Sequence, residues 1–210
     1  MRDWRENLHD ELRNLGAPEA AGILTRYVEL LQRWNQAFNL TAIRDPAEMV
    51  PRHILDSAVI APFVKAGSVA DAGTGAGLPG IVLAVLRPEL AITLIDSNGK
   101  KTRFCKQAVS ELGLRNVAVT QARIEGYRPM ERFATVVSRA YASLAEFIAS
   151  TRHLLDDGGT FLAMKGAYPH EEIRALPAGV RVVAVHPLRV PGLDAERHIV
   201  EMELSAGGGK

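Results

Sequence analysis

One cysteine, Cys105, stands in 210 residues. A lone thiol closes no internal disulfide and supplies no multi-thiolate metal site, so the chain reads as built for a reducing compartment, with the cytoplasm as the expected location. Long apolar runs are missing too. The longest aliphatic stretch, Ile81 to Leu86, has six residues against the roughly twenty a spanning helix needs. Seven of the ten positions from Met1 to Asp10 are charged or polar, which is no secretory signal. Neither a membrane span nor a leader is expected. Charge of one sign is absent as a global property: 25 Lys and Arg face 24 Asp and Glu, net +1, so no overall basic field argues for nucleic acid. The six histidines, His9, His53, His153, His170, His186 and His198, include no two spaced by three or four, which argues against a helical metal site. No metal is expected. A Ser, His, Asp triad, paired carboxylates and an internal repeat are equally lacking, and nothing calls for an obligate protein partner.

The remaining composition, 47% apolar and 23% charged with 18 Gly and 11 Pro, is that of an ordinary globular chain and far from the signature of disorder. A chain of this size buries roughly 70% of its unfolded surface. Apolar residues recur at helical spacing at Ile23, Leu24, Tyr27, Leu30, Leu31 and Trp34, and residues 1–62 read as an all-helical extension packed on the core, with Pro51 expected to end or kink a helix at Val50. After Gly67 short apolar runs alternate with helical stretches. Val69 to Ala72, Ala91 to Ile95, Val117 to Thr120, Thr135 to Val137 and Thr160 to Met164 read as buried strands; Leu78 to Leu86, Lys100 to Leu112 and Leu144 to Leu155 read as helices. That alternation builds an α/β, doubly wound, mostly parallel sheet of Rossmann-like type. Val180 to Val185 and His198 to Leu204 read as a C-terminal antiparallel hairpin, which places the main domain at 63–204, and 205–210 as a flexible, glycine-rich tail.

The chemistry begins where the first strand runs into Gly73, Thr74, Gly75, Ala76, Gly77, Leu78, Pro79 and Gly80. In an open parallel sheet such a turn lies at the carboxyl edge, where ligands bind. Gly75, Gly77 and Gly80 satisfy the dinucleotide fingerprint literally, a weak signal alone. The neighbouring charges discriminate. Asp71 repels a pyrophosphate but suits an ammonium group, Gly73 and Gly75 let backbone approach a ligand, and Asp96 ends the next strand where a carboxylate can accept from both ribose hydroxyls. Together they favour S-adenosylmethionine over NAD. Ile124, after the third strand, can lie against the adenine; Arg139, at the end of the fourth, faces the transferred methyl, where a cation suits a phosphate, a carboxylate or an RNA backbone. Between Ser97 and Arg132 eight cations face three carboxylates, a local polyanion patch.

Several blocks resemble the ribosomal RNA small subunit methyltransferase G family, also called glucose-inhibited division protein B. They are Trp34, Asn35 and Phe38 to Arg44; Arg52, His53, Leu55, Asp56 and Ser57; Asp71 to Gly80; Leu94 to Lys100; Val137 to Ala140; Lys165 and Gly166; and Leu193, Asp194, Glu196, Arg197 and His198. Ala76 stands where many members carry Pro, and Ala195 where Gly is usual. The resemblance spans nearly the whole chain. It implies methyl transfer from S-adenosylmethionine to N7 of a guanine in the 530 loop of bacterial 16S ribosomal RNA, within the small subunit or its precursor. The implied cofactor contacts fall on Gly73, Leu78, Ile124, Glu125 and Arg139. Lys100, Lys101, Arg123, Lys165 and Arg197 are the candidate RNA contacts.

Guanine N7 has an in-plane lone pair and no proton, so no general base is required and Arg139 is expected to position rather than to transfer protons. His53 would hold the helical arm through a ring hydrogen bond, and Cys105 would be a small buried hydrophobe. Three rivals remain open on the residues alone: a nicotinamide oxidoreductase, a noncatalytic ribosome-binding protein with a cofactor pocket, and a small-molecule methylase.

Overall fold

The structure, a computed structural model, describes residues 3–139, 141 and 143–205; the remaining tail positions 206–210 and Ala140 of the fourth-strand motif lie outside the described residues. Helix α1 (Trp4–Asn14) starts at Asp3, whose carboxylate accepts from Arg5 N–H at 3.0 Å, the capping interaction that side chain supplies best. Helix α2 (Ala21–Phe38) buries Leu24, Tyr27, Val28 and Leu31 along one stripe and stops at Asn39, which takes the left-handed conformation at φ 49°. A third helical stretch joins α3 (Pro46–Met49), a π turn at Val50–Leu55 and α4 (Asp56–Ala58).

That stretch corrects the expectation at Pro51. The helix does not end at Val50; it widens, with the Asp56 N–H donating to the Pro51 carbonyl five residues back. A π turn accommodates the proline that an α-helical interior would reject, and such turns recur at functional sites.

Strands β1 (Ser68–Ala72), β2 (Ala91–Asp96), β3 (Val117–Gln121), β4 (Phe133–Arg139), β5 (Leu155–Lys165), β6 (Val180–Leu188) and β7 (Arg197–Leu204) form one sheet in the order β3-β2-β1-β4-β5-β7-β6. The first five are parallel; β7 runs antiparallel to both β5 and β6. Helices α5 (Gly80–Leu86), α6 (Gly99–Leu112), α7 (Leu144–Thr151) and α8 (His170–Arg174) complete the chain. Helix α7 is shorter than the sequence suggests. Its last residues form a 3-10 turn at Arg152–Leu154, and β5 already begins at Leu155, running through the Asp and Gly residues between the expected helix and the expected strand.

Alternation in the strands divides the core. Val69, Leu94, Val137, Leu162 and Ile199 face the side covered by α1, α2, α5 and α6, while Ala70, Ile95, Val136, Phe161 and Val200 face α7. The helical segment therefore shares a continuous apolar cluster with one face of the sheet, as a doubly wound fold requires.

Candidate functional site

The β1 turn is braced from beneath. Asp71 is fully buried, and its Oδ2 accepts from Thr74 Oγ1 at 2.6 Å and from the Gly80 N–H at 2.8 Å. A Cβ at Gly80 would collide with the Leu94 side chain and lie 2.8 Å from Asp71 Oδ2, so that position excludes any larger residue. Burial raises the Asp71 carboxyl to about 6, against the opposing hydrogen bonds from Thr74 and Gly80 and the nearby Arg139 charge. Its Oδ1 is buried with no hydrogen-bond partner among the described residues. The turn is also held from the arm: Tyr27 Oη donates to the Ala76 carbonyl at 2.6 Å.

Asp96 occupies the matching place on β2. One oxygen accepts from Gly75 N–H at 2.9 Å and the other from Asn98 N–H at 2.8 Å. Each oxygen keeps further acceptor capacity, and Asp96 lines a cleft of about 320 Å³ with Gly73, Ser97, Lys101, Ala122, Arg123, Ile124, Glu125 and Tyr141. Gly73 sits at φ +70°, a conformation that glycine adopts without strain. Cleft residues Gly73, Asp96, Ile124 and Glu125 are thus brought together as the sequence suggests. Asp71 lies one layer lower, bracing the turn, Gly75 contributes through its amide, and Leu78 is buried in the core.

A second cavity of about 350 Å³ is lined by Ile43, Arg52, His53, Asp56, Arg139, Met164, Lys165, Gly166 and Arg197. Lys165 donates to the Tyr141 carbonyl at 3.4 Å and pairs with Glu172 at 2.7 Å, so the two cavities share a wall. Of the candidate RNA contacts, Lys165 and Arg197 line this second cavity, Lys101 and Arg123 line the first cleft, and Lys100 is exposed near the start of α6.

His53 is buried and spoken for. With Nδ1–H donating to the Arg52 carbonyl at 3.0 Å, Nε2 accepts from the Thr41 hydroxyl at 2.8 Å. Burial, reinforced by Arg139, lowers its pKa to about 4, so the ring is neutral near pH 7. Burial pushes the Cys105 thiol up, with Asp71 and Asp96 adding to the shift; it is a core group. No cluster of His, Cys, Asp and Glu able to hold a metal occurs among the described residues, and no described helix is long and apolar enough to cross a membrane.

Residue-level reading missed Tyr141 as a wall residue and gave no role to Asp56. The only signal for either was proximity to Arg139 and to the Arg52, His53 block.

The model of the rRNA small subunit methyltransferase G family matches residues 21–200. A ribosomal RNA small subunit methyltransferase G from Xanthomonas campestris is 54% identical over 190 residues, covering 90% of this chain and 89% of the relative. The chain belongs to this family. A member from Chromobacterium violaceum is 52% identical across 87% of this chain and 88% of its own length. These relatives favour none of the three rival readings.

Solved structures agree on the fold. The glycopeptide N-methyltransferase MtfA, crystallised with S-adenosyl-L-methionine, superposes with a TM-score of 0.63 at 15% identity over 73% of this chain and 88% of its own. TrmN from Thermus thermophilus gives 0.58 at 20% identity over 81% and 53%. This chain thus shares its sheet frame with proteins of very different sequence.

Proposed function

We propose that this chain transfers a methyl group from S-adenosylmethionine to N7 of a guanine in the 530 loop of bacterial 16S ribosomal RNA, in the cytoplasm, on the small subunit or its precursor. The observation that carries the reading is the pairing of two cavities across one wall. The cleft with Asp96 and Ile124 offers a carboxylate for a diol and an apolar face for a purine, and the adjoining cavity gathers Arg52, Arg139, Lys165 and Arg197. Asp71, with a buried oxygen beneath the turn that has no hydrogen-bond partner among the described residues, biases the cleft toward a cationic ligand and against a diphosphate. Residues 1–62 serve as a helical extension that completes the second cavity, and 63–204 as the methyltransferase domain.

S-adenosylmethionine supplies an electrophilic methyl group. The chain's own residues then have to hold and orient, because N7 carries no proton to remove. Asp96, Gly73, Ile124 and Glu125 hold the cofactor; Arg139 positions at the boundary; Lys165 and Arg197 engage the nucleotide, while Lys100, Lys101 and Arg123 meet the surrounding RNA. His53, neutral and bonded through both ring nitrogens, is left out of proton transfer. Labelled S-adenosylmethionine incubated with small subunits from a strain lacking the modification is the test: stoichiometric incorporation is expected, and none at all would leave a ribosome-binding protein.

A further inference from the structure

Asp56 is 4% exposed, and two guanidiniums from distant parts of the chain converge on it. Oδ1 accepts from Arg197 Nε at 2.9 Å, and Oδ2 lies 3.6 Å from Arg139 Nη1. The helical segment, the carboxyl end of β4 and the start of β7 therefore meet at one carboxylate. Arg139 Nη1 also donates to the Arg52 carbonyl at 3.2 Å and lies 3.3 Å from His53 Nδ1, whereas its Nε and Nη2 carry no hydrogen bond among the described residues.

A fastening role is poorly supported. The helical segment is already fixed by apolar burial of Ile54 and Leu55 beside Asp56 and by Leu24, Tyr27 and Leu31 of α2, and a buried ion pair is a costly way to join elements. Nor does the cluster face the core: the Arg139 and Arg197 side chains remain 23% and 28% exposed and line the cavity with Asp56. Arg139 carries the greater consequence. It ends β4 and lines the second cavity, and two residues further on Tyr141 lines the first cleft, so it stands where the two cavities adjoin, one end tethered and the other without a hydrogen bond among the described residues.

We infer that Asp56 is a positioning residue for methyl transfer, acting through Arg139, whose guanidinium it aims along the boundary between cleft and cavity. This rests on the function proposed above. A double-mutant cycle tests it, with Asp56→Asn, Arg139→Ala and the pair, read by calorimetric affinity for S-adenosylhomocysteine and by single-turnover methyl transfer to unmodified small subunits. Since a misplacement of about 1 Å costs roughly a hundredfold, Asp56→Asn is expected to slow transfer about tenfold or more and to weaken binding about threefold. In the Arg139→Ala background it should cost less than about twofold in either, because coupled groups are not additive. Losses that multiply, or no loss at all, overturn the assignment. Asp56→Glu, which keeps the charge, runs the same cycle if the neutral variant does not fold, and a loss independent of Arg139 there again refutes it. If the parent transfers no methyl while the affinity cycle is coupled, the proposed function fails and the link between Asp56 and Arg139 stands.

Discussion

Asp96 ends β2 at the rim of the cleft. Its position as the last residue of an apolar run was legible, because a strand followed by a polar turn puts that side chain at the sheet's carboxyl edge. Asp96→Ala removes an ionised acceptor worth about 1.5–3 kcal/mol, and calorimetry should show affinity for S-adenosylmethionine falling roughly tenfold to a hundredfold in a folded variant. Asp71 and His53 make a second, opposed pair of expectations. Asp71, raised to about 6, makes the folded state bind more protons than the unfolded chain between about pH 4 and 6, so the stability it lends below that window is lost as the pH rises through about 6. His53, lowered to about 4, lends stability above pH 6.5 that is lost as the pH falls through about 4. Each effect is on the order of 2–3 kcal/mol. Urea titrations from pH 4 to 6.5 should therefore show stability rising with pH in Asp71→Asn and falling with pH in His53→Gln, whereas the parent stays nearly level. What a sequence could not convey is visible at Asp56: its partners Arg139 and Arg197 lie 83 and 141 residues away, and no local pattern announces a contact of that range.

Periodicity announced every strand and helices α2 and α6, since burial on both faces leaves short apolar runs between helical ones. It failed where local rules compete with packing. Pro51 argues for a break, yet Val50, Ile54 and Leu55 are all buried, and keeping the three against the sheet favours a widened turn over a stop. Likewise Asp156 to Gly159 look like a turn but belong to β5, with the irregularity absorbed where β4 and β5 shift register between Phe133 and Thr135. The glycine turn is an element with outside support. Its Ala76 carbonyl depends on the Tyr27 hydroxyl of α2 at 2.6 Å, so Tyr27→Phe leaves a buried acceptor unpaired and should cost about 1–3 kcal/mol by denaturant unfolding. Cofactor affinity should weaken with it, because the same turn carries Gly73 and Gly75.

At the scale of the whole molecule, near-neutral charge hides an uneven surface. Eight cations stand between Ser97 and Arg132. Lys101 and Arg123 border the cleft that holds Asp96, while Lys100, Arg103 and Lys106 are exposed on α6. If that face meets RNA, binding to small subunits weakens steeply with salt, and replacing Lys100 and Lys101 together by Ala should lower the slope of log affinity against log salt by about 1 to 2. An unaltered slope would move the contact to the helical segment. Cofactor affinity measured alongside separates an RNA effect from one on the cleft, since Lys101 borders both.

All of these features serve one claim, that the paired cavities orient a guanine whose N7 needs no base. Its most direct test is single-turnover transfer to unmodified small subunits from about pH 6 to 8.5, with the methylated atom mapped. The expected result is one N7-methylguanosine per subunit in the 530 loop, formed at a rate nearly flat above about pH 7, where Asp71 with its pKa near 6 is ionised and His53 with its pKa near 4 is neutral. Methylation at another atom, or a rate that climbs through the histidine range and loses that climb in a folded His53→Ala variant, would contradict it.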